Sequence, residues 1–249
     1  MPVRVYVTGR IRIESGARVV DEQRFPARQG RTLFAYLLCH RHRPVTHEEL
    51  AEALWPDALP SAWESALNAV ISKLRSVLKG VPPKGAMTLT GAVGAYVVQV
   101  ADDVWIDREA AAAAIDEAEG LLHAKRWREA WAPSNIAAIT ARQPFLATEE
   151  GNWIDRERAR LHGILLRAVD CLSEIWLLNG EAALALGAAR EGVALEPFRE
   201  AGYRRLMRIH VELGNRAEAL RVYEECRALL AAELGAEPSQ ETQDARRRL

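Results

Sequence analysis

Hydrophobic positions alternate with polar ones over the first residues of the chain: Val3, Val5 and Val7 flank Arg4 and Tyr6, and after Gly9, Ile11 and Ile13 flank Arg12. Successive side chains of a strand point to opposite faces, so this period of two predicts strand, turn, strand. A third short run, Ala17 to Val20, follows Gly16, and Phe25 with Pro26 closes what should be a small antiparallel sheet. From Arg31 the period lengthens. Leu33, Phe34, Leu37 and Leu38 share one helical face, and Pro44 ends that helix by disfavouring the helical conformation at Arg43. Thr46-His47-Glu48-Glu49 has the capping-box pattern, in which the first and fourth residues satisfy each other's free amides, and a short helix on Leu50, Ala53 and Leu54 runs to Pro56. A second capping box is expected at Ser61 to Glu64. It opens a longer helix on Leu67, Ile71, Leu74 and Leu78. Gly80 and Pro82-Pro83 stop it, and Thr88 to Gln99 reads as two strands joined by Gly91-Ala92-Val93-Gly94.

After Asp102-Asp103 the chain becomes rich in Ala, Leu, Arg and Glu at helical spacing, with breaks expected at Pro133, Pro144, Gly180, Pro197, Gly214 and Pro238. Gly180 and Gly214 are 34 residues apart, as are Ala185 and Ala219, and 34 is the length of a tetratricopeptide repeat. Arg126 to Trp131 reads as a third, degenerate copy. The predicted fold class is therefore mostly α with a small β component, a winged helix-turn-helix over 1–101 followed by an all-α tetratricopeptide-like domain over 102–249. The two are expected to separate on cutting near Ala101, with Trp55 packed as core between the second and third helices.

Charge sharpens this division. Residues 1–100 hold 13 Lys and Arg against 8 Asp and Glu, a formal +5, and the remainder hold 20 against 26, a formal −6. Helix, short helix, long helix and hairpin is the order in which the third helix enters a DNA major groove and the hairpin touches the backbone. Off that helix's apolar stripe lie Asn68, Ser72, Lys73, Arg75, Ser76 and Lys79, donors suited to base edges and phosphates, so double-stranded DNA is the expected partner. Enzyme readings find no phosphate-binding loop, nucleophile elbow or H-E-x-x-H motif. His40, His42 and His47 are close in sequence, but His40 and His42 alternate with Arg41 and Arg43, which repel a divalent ion, and no metal or cofactor is expected. Cys39, Cys171 and Cys226 are too scattered for a disulfide framework or zinc cluster. No stretch approaches the roughly 18 apolar residues of a membrane span, and a cytoplasmic protein without membrane contact is expected.

Three segments carry a resemblance: Arg31 to Leu38 with Arg43-Pro44-Val45, Leu50 to Pro56, and Ser72 to Leu78. Together they resemble the OmpR-like winged helix of the Streptomyces antibiotic regulatory protein family. Pro144-Phe145-Leu146 with Trp153, Gly214 to Tyr223, and Glu233 to Ser239 resemble its companion, the bacterial transcriptional activator domain. The resemblance implies binding to direct repeats in promoters and activation through RNA polymerase, and it places Asn68, Ser72, Lys73 and Arg75 against DNA. A second copy of the chain is a further candidate partner. The competing reading, encouraged by Glu64 and the modest positive charge, is a repeat protein for protein interaction or ligand sensing with weak or absent DNA binding. A salt-dependent shift of DNA separates the two.

Overall fold

The computed structural model describes residues 3–92 and 94–249. Val93 of the expected hairpin turn lies outside the described residues. The chain forms two compact units, one taking it up to Ala110 together with Gln143–Arg160, the other comprising Ala111–Arg142 and Leu161–Leu249.

The first unit contains β1 (Val3–Tyr6), β2 (Arg12–Ser15), β3 (Arg18–Val20), α1 (Ala27–Cys39), β4 (Val45–Thr46), α2 (His47–Leu54), α3 (Trp63–Lys79), β5 (Met87–Ala92), β6 (Ala95–Val100) and β7 (Trp105–Ile106). The alternating start folds as expected: β1 pairs antiparallel with β2, Val5 opposite Ile13, and both are buried. β7 adds in parallel beside β1, giving the order β3-β2-β1-β7, and β4 joins the hairpin as β4-β6-β5. β4 and β7 are two residues long, too short to show a period. The apolar stripes of α1, α2 and α3 meet in one core of Leu33, Phe34, Leu37, Leu50, Leu67, Ile71, Leu74 and Leu78. α1 begins at Ala27, four residues before the apolar pattern does.

Both caps can be compared with expectation. At α2 the Glu49 amide donates to Thr46 Oγ1 (3.2 Å) while the Thr46 amide donates to the Glu49 carboxylate (2.9 Å), so the capping box forms. At α3 it does not: the helix starts at Trp63 behind Ala62, with no side-chain cap, and Ser61 lies outside it. Trp55 also departs from its expected core position. It caps the C-terminus of α2, remains half-buried, and lines a shallow cleft with Arg28, Thr32, Pro56 and Asp57.

The 101/102 boundary read from the sequence falls inside this unit. Asp107, at the start of α4 (Asp107–His123), is buried, and its carboxylate accepts from the amides of Val7 (3.1 Å), Thr8 (3.0 Å) and Arg108 (2.7 Å) and from Thr8 Oγ1 (2.7 Å). Trp153 stacks edge-on against Tyr36 (4.9 Å) and Phe145 (5.8 Å), and Glu149, 3% exposed, pairs with Arg28 and Arg31. These residues finish the core of the unit from a distance in sequence that local periodicity cannot report.

The second unit is helical: the rest of α4, then α5 (Trp127–Ala141), α6 (Asn152–Leu178, whose first turns belong to the first unit), α7 (Ala182–Leu195), α8 (Glu200–Glu212), α9 (Arg216–Leu234) and α10 (Gln240–Arg247). Three hairpins close on one turn. Lys125 (φ 60°), Gly180 (φ 79°) and Gly214 (φ 72°) take the left-handed conformation, and the amide of the next residue donates at 2.8 Å to Leu121, Trp176 and His210 respectively. Ala130, Ala185 and Ala219, each five residues beyond that turn, are fully buried where the helices of a pair approach closely. The stretch Arg126 to Trp131 is thus a true third copy in which a lysine bears the strain that glycine avoids. Pro133 does not break α5 as expected but sits buried within it.

Candidate nucleic-acid interface

α3 is held by one face. Leu67, Val70, Ile71, Leu74 and Leu78 are buried, and Asn68, Ser72, Lys73, Ser76 and Lys79 are exposed. At about 100° per residue, Ser72 and Ser76 stand opposite the buried stripe, and Lys73 and Lys79 lie on either side of them, roughly 120° apart. The outward face is therefore polar and uncharged at its centre and cationic at its edges. It carries no bulky side chain, and Ser65 and Ala69 leave it low enough for close approach.

Arg75 is the exception among the six predicted residues. It is only partly exposed, its Nε donates to the Leu89 carbonyl of β5 (3.0 Å), and its guanidinium lies 5.3 Å from the centre of the Tyr96 ring on β6. Gly91 makes this fit, because a Cβ there would lie 3.2 Å from both Arg75 Nη2 and the Tyr96 ring. Tyr96 also donates through its hydroxyl to Asn68 Oδ1 (3.3 Å) and stacks on His47 (5.0 Å, 18°). Arg75, Asn68 and Tyr96 thus brace the hairpin against the third helix. Sequence periodicity places Arg75 off the core, but nothing local to the helix indicates that the hairpin takes up its side chain.

Cations surround the same helix. Lys79 and Lys84 line a cleft with Arg75 and Thr88 on the hairpin side. Arg18 and Arg24 line another, with Ser76, Val77 and Gly80, on the side of the N-terminal sheet. Of the carboxylates nearest in sequence to that pair, Glu14 is paired with Arg12 (3.0 Å) and Glu22 with Arg31 (3.2 Å), while the exposed Asp21 accepts from the Gln23 amide (3.2 Å). Sequence reasoning misses Arg18, Arg24 and Lys84, since they lie in a strand, a three-residue 3-10 helix (Glu22–Arg24) and a loop that no helical pattern joins to α3.

Other chemistry-bearing groups sit elsewhere. His40 stacks on Tyr36 and bonds its carbonyl through Nδ1 (2.8 Å), whereas His47 faces Tyr96. Burial pushes the thiols of Cys39 and Cys171 up to about 12 and that of Cys226 up to about 11, which leaves them un-ionised at neutral pH. No helix among the described residues is long and apolar enough to cross a membrane.

Residues 106–249 match the model of the bacterial transcriptional activator domain, and residues 26–96 match that described as "Transcriptional regulatory protein, C terminal". The chain is 27% identical over 256 residues to the regulatory protein AfsR of Streptomyces griseus, covering 99% of this chain and 24% of that protein. Its identity to AfsR of Streptomyces coelicolor is 30%, over 89% of this chain and 22% of that one, and to the transcriptional regulator RedD of the same organism 26%, over 84% and 60%. The chain thus spans less than two thirds of these relatives. Its fold matches that of Mycobacterium tuberculosis EmbR, solved in complex with a low-affinity phosphopeptide, with a TM-score of 0.85 over 99% of this chain and 64% of that one, at 21% identity.

Proposed function

This chain belongs to the bacterial transcriptional activator domain family, and from that premise we propose that it is a DNA-binding transcription regulator whose helix α3 reads the major groove. The observation that carries the reading is the outward face of α3. Ser72 and Ser76 present short donors and acceptors at its centre, Asn68 lies on the hairpin side where its Oδ1 accepts from the Tyr96 hydroxyl, and Lys73 and Lys79 lie at its margins. Short polar side chains reach base edges without obstructing the helix's approach, and lysines at the margins meet phosphates. Arg75 belongs to the same site as a positioning residue that sets the hairpin beside the groove.

The helical unit serves partners other than DNA. The helical unit holds 16 Lys and Arg against 18 Asp and Glu, a formal −2 that offers a phosphate backbone no net attraction, and stacked helical hairpins form extended surfaces suited to polypeptide. In this reading the regulator is an activator working in the bacterial cytoplasm, two copies occupy promoter direct repeats, and the helical unit contacts RNA polymerase. The chain catalyses no reaction and needs no cofactor.

The test is selection of double-stranded 30-mers from a random pool by the purified full chain. An enriched motif with two copies of a half-site in the same orientation supports the proposal. A pool that stays random over successive rounds, with the chain folded, defeats it.

A further inference from the structure

We propose that Arg18 and Arg24, on the N-terminal sheet side of α3, form a second phosphate-binding site that grips the DNA strand opposite the hairpin. The inference rests on the reading of α3 as the groove-entering helix. A major groove is about 12 Å wide and a helix with side chains about 10–12 Å across, so a seated helix has a sugar-phosphate backbone along each flank. One flank of α3 faces the hairpin and is supplied by Lys79 and Lys84. The other flank, through Lys73 and Val77, faces the N-terminal sheet.

Four observations assign that second flank. Arg18 and Arg24 are exposed, and together with Ser76, Val77 and Gly80 they line a cleft of about 310 Å³ whose lining contains no carboxylate. Ser76 belongs both to this cleft and to the outward face of α3, so the two surfaces are continuous. The sheet is fastened to the end of the helix: Ser15 Oγ donates to the Pro82 carbonyl (2.5 Å), and a Cβ on Gly80 would lie 4.0 Å from Arg18 Nη2. Glu14 and Glu22 are held by Arg12 and Arg31, and Asp21 accepts from the Gln23 amide outside the cleft lining, so neither Arg18 nor Arg24 forms an ion pair among the described residues. A guanidinium presents a planar fork matched to two phosphate oxygens, and two of them in one cleft fit adjacent phosphates of a strand. The exposed Val19 between them supplies no base-specific donor, so the site contributes affinity and register without sequence preference.

The experiment measures affinity of the full chain for the duplex it selects, across a KCl series, for the parent, Arg18→Ala/Arg24→Ala, and Arg18→Lys/Arg24→Lys. Removing one phosphate-neutralising cation from the interface lowers the slope of log K against log salt by about 0.9. The alanine pair is expected to show a slope shallower by about 1.8 and hence an affinity roughly 60-fold weaker at 100 mM salt, equally for matched and mismatched duplexes, with the lysine pair close to the parent. An unchanged slope in the folded alanine pair overturns the proposal, as does a changed sequence preference at constant slope. If the parent itself selects no duplex, the reading of α3 falls and this inference falls with it. A parent that binds normally beside an unaffected alanine pair removes the second site alone.

Discussion

Arg75 illustrates how a single side chain can be placed rightly and used differently. Its position off the apolar stripe is legible in the sequence, but its bonds to the Leu89 carbonyl and over Tyr96 depend on a hairpin that the helical pattern does not contain. Arg75→Ala should therefore cost about 1 kcal/mol of stability and loosen the hairpin, lowering DNA affinity without a change in preferred bases. A shifted base preference at one position of the selected duplex would instead make it a base reader. His210 supports a second expectation at this scale. It is buried with Nδ1 unpartnered, and burial holds its pKa below the ordinary histidine value. The unfolded chain then binds the proton more readily, so stability is present above the unfolded pKa of about 6.5 and is lost as pH falls through it. His210→Met should flatten that acid loss and leave stability at pH 8 equal or higher, because it removes an unsatisfied buried polar atom. A parent whose melting temperature is constant between pH 8 and pH 5.5 would contradict this.

Among the elements, the long ones are readable in the sequence and the short ones are not. α1, α2, α3 and the 34-residue register announce themselves because many residues repeat one spacing, and the third hairpin is visible through Arg126 to Trp131 although Lys125 replaces its turn glycine. β4 and β7, at two residues each, offer no period, and the cap expected at Ser61 fails because α3 starts two residues later. β7, Asp107 and the segment around Phe145 and Trp153 have a larger consequence. A fragment of residues 1–101 lacks all of them and leaves the Val7 and Thr8 amides without the Asp107 carboxylate. It should fail to melt cooperatively, and in the full chain Asp107→Ala should cost about 2–4 kcal/mol, from the stranded buried donors. Thermal and urea melts decide this: a sharp transition in the fragment matching that of the whole chain would show that the first unit closes before residue 102.

At the scale of the molecule, the charge division read from the sequence, +5 before residue 101 and −6 after it, shrinks to +1 for the first unit and −2 for the helical one, because residues 101–110 and 143–160 belong to the first unit and are net acidic. Cations gather on both flanks of α3, and the helical unit carries internal ion pairs such as Arg167 with Glu119 and Asp116 and Arg142 with Glu191. The division is legible because charge can be counted along a chain. The flank formed by Arg18 and Arg24 is not, since only folding brings residues 18–24 beside residues 76–80. The central claim is that the outward face of α3 discriminates DNA sequence. The most direct test compares the affinity of the full chain for its selected duplex and for a scrambled one, with and without Ser72→Asp/Ser76→Asp. The account predicts that the parent prefers the selected duplex by at least about 1,000-fold and that the double variant, folded and equally stable, loses that preference. Retention of the full preference by the variant would contradict it.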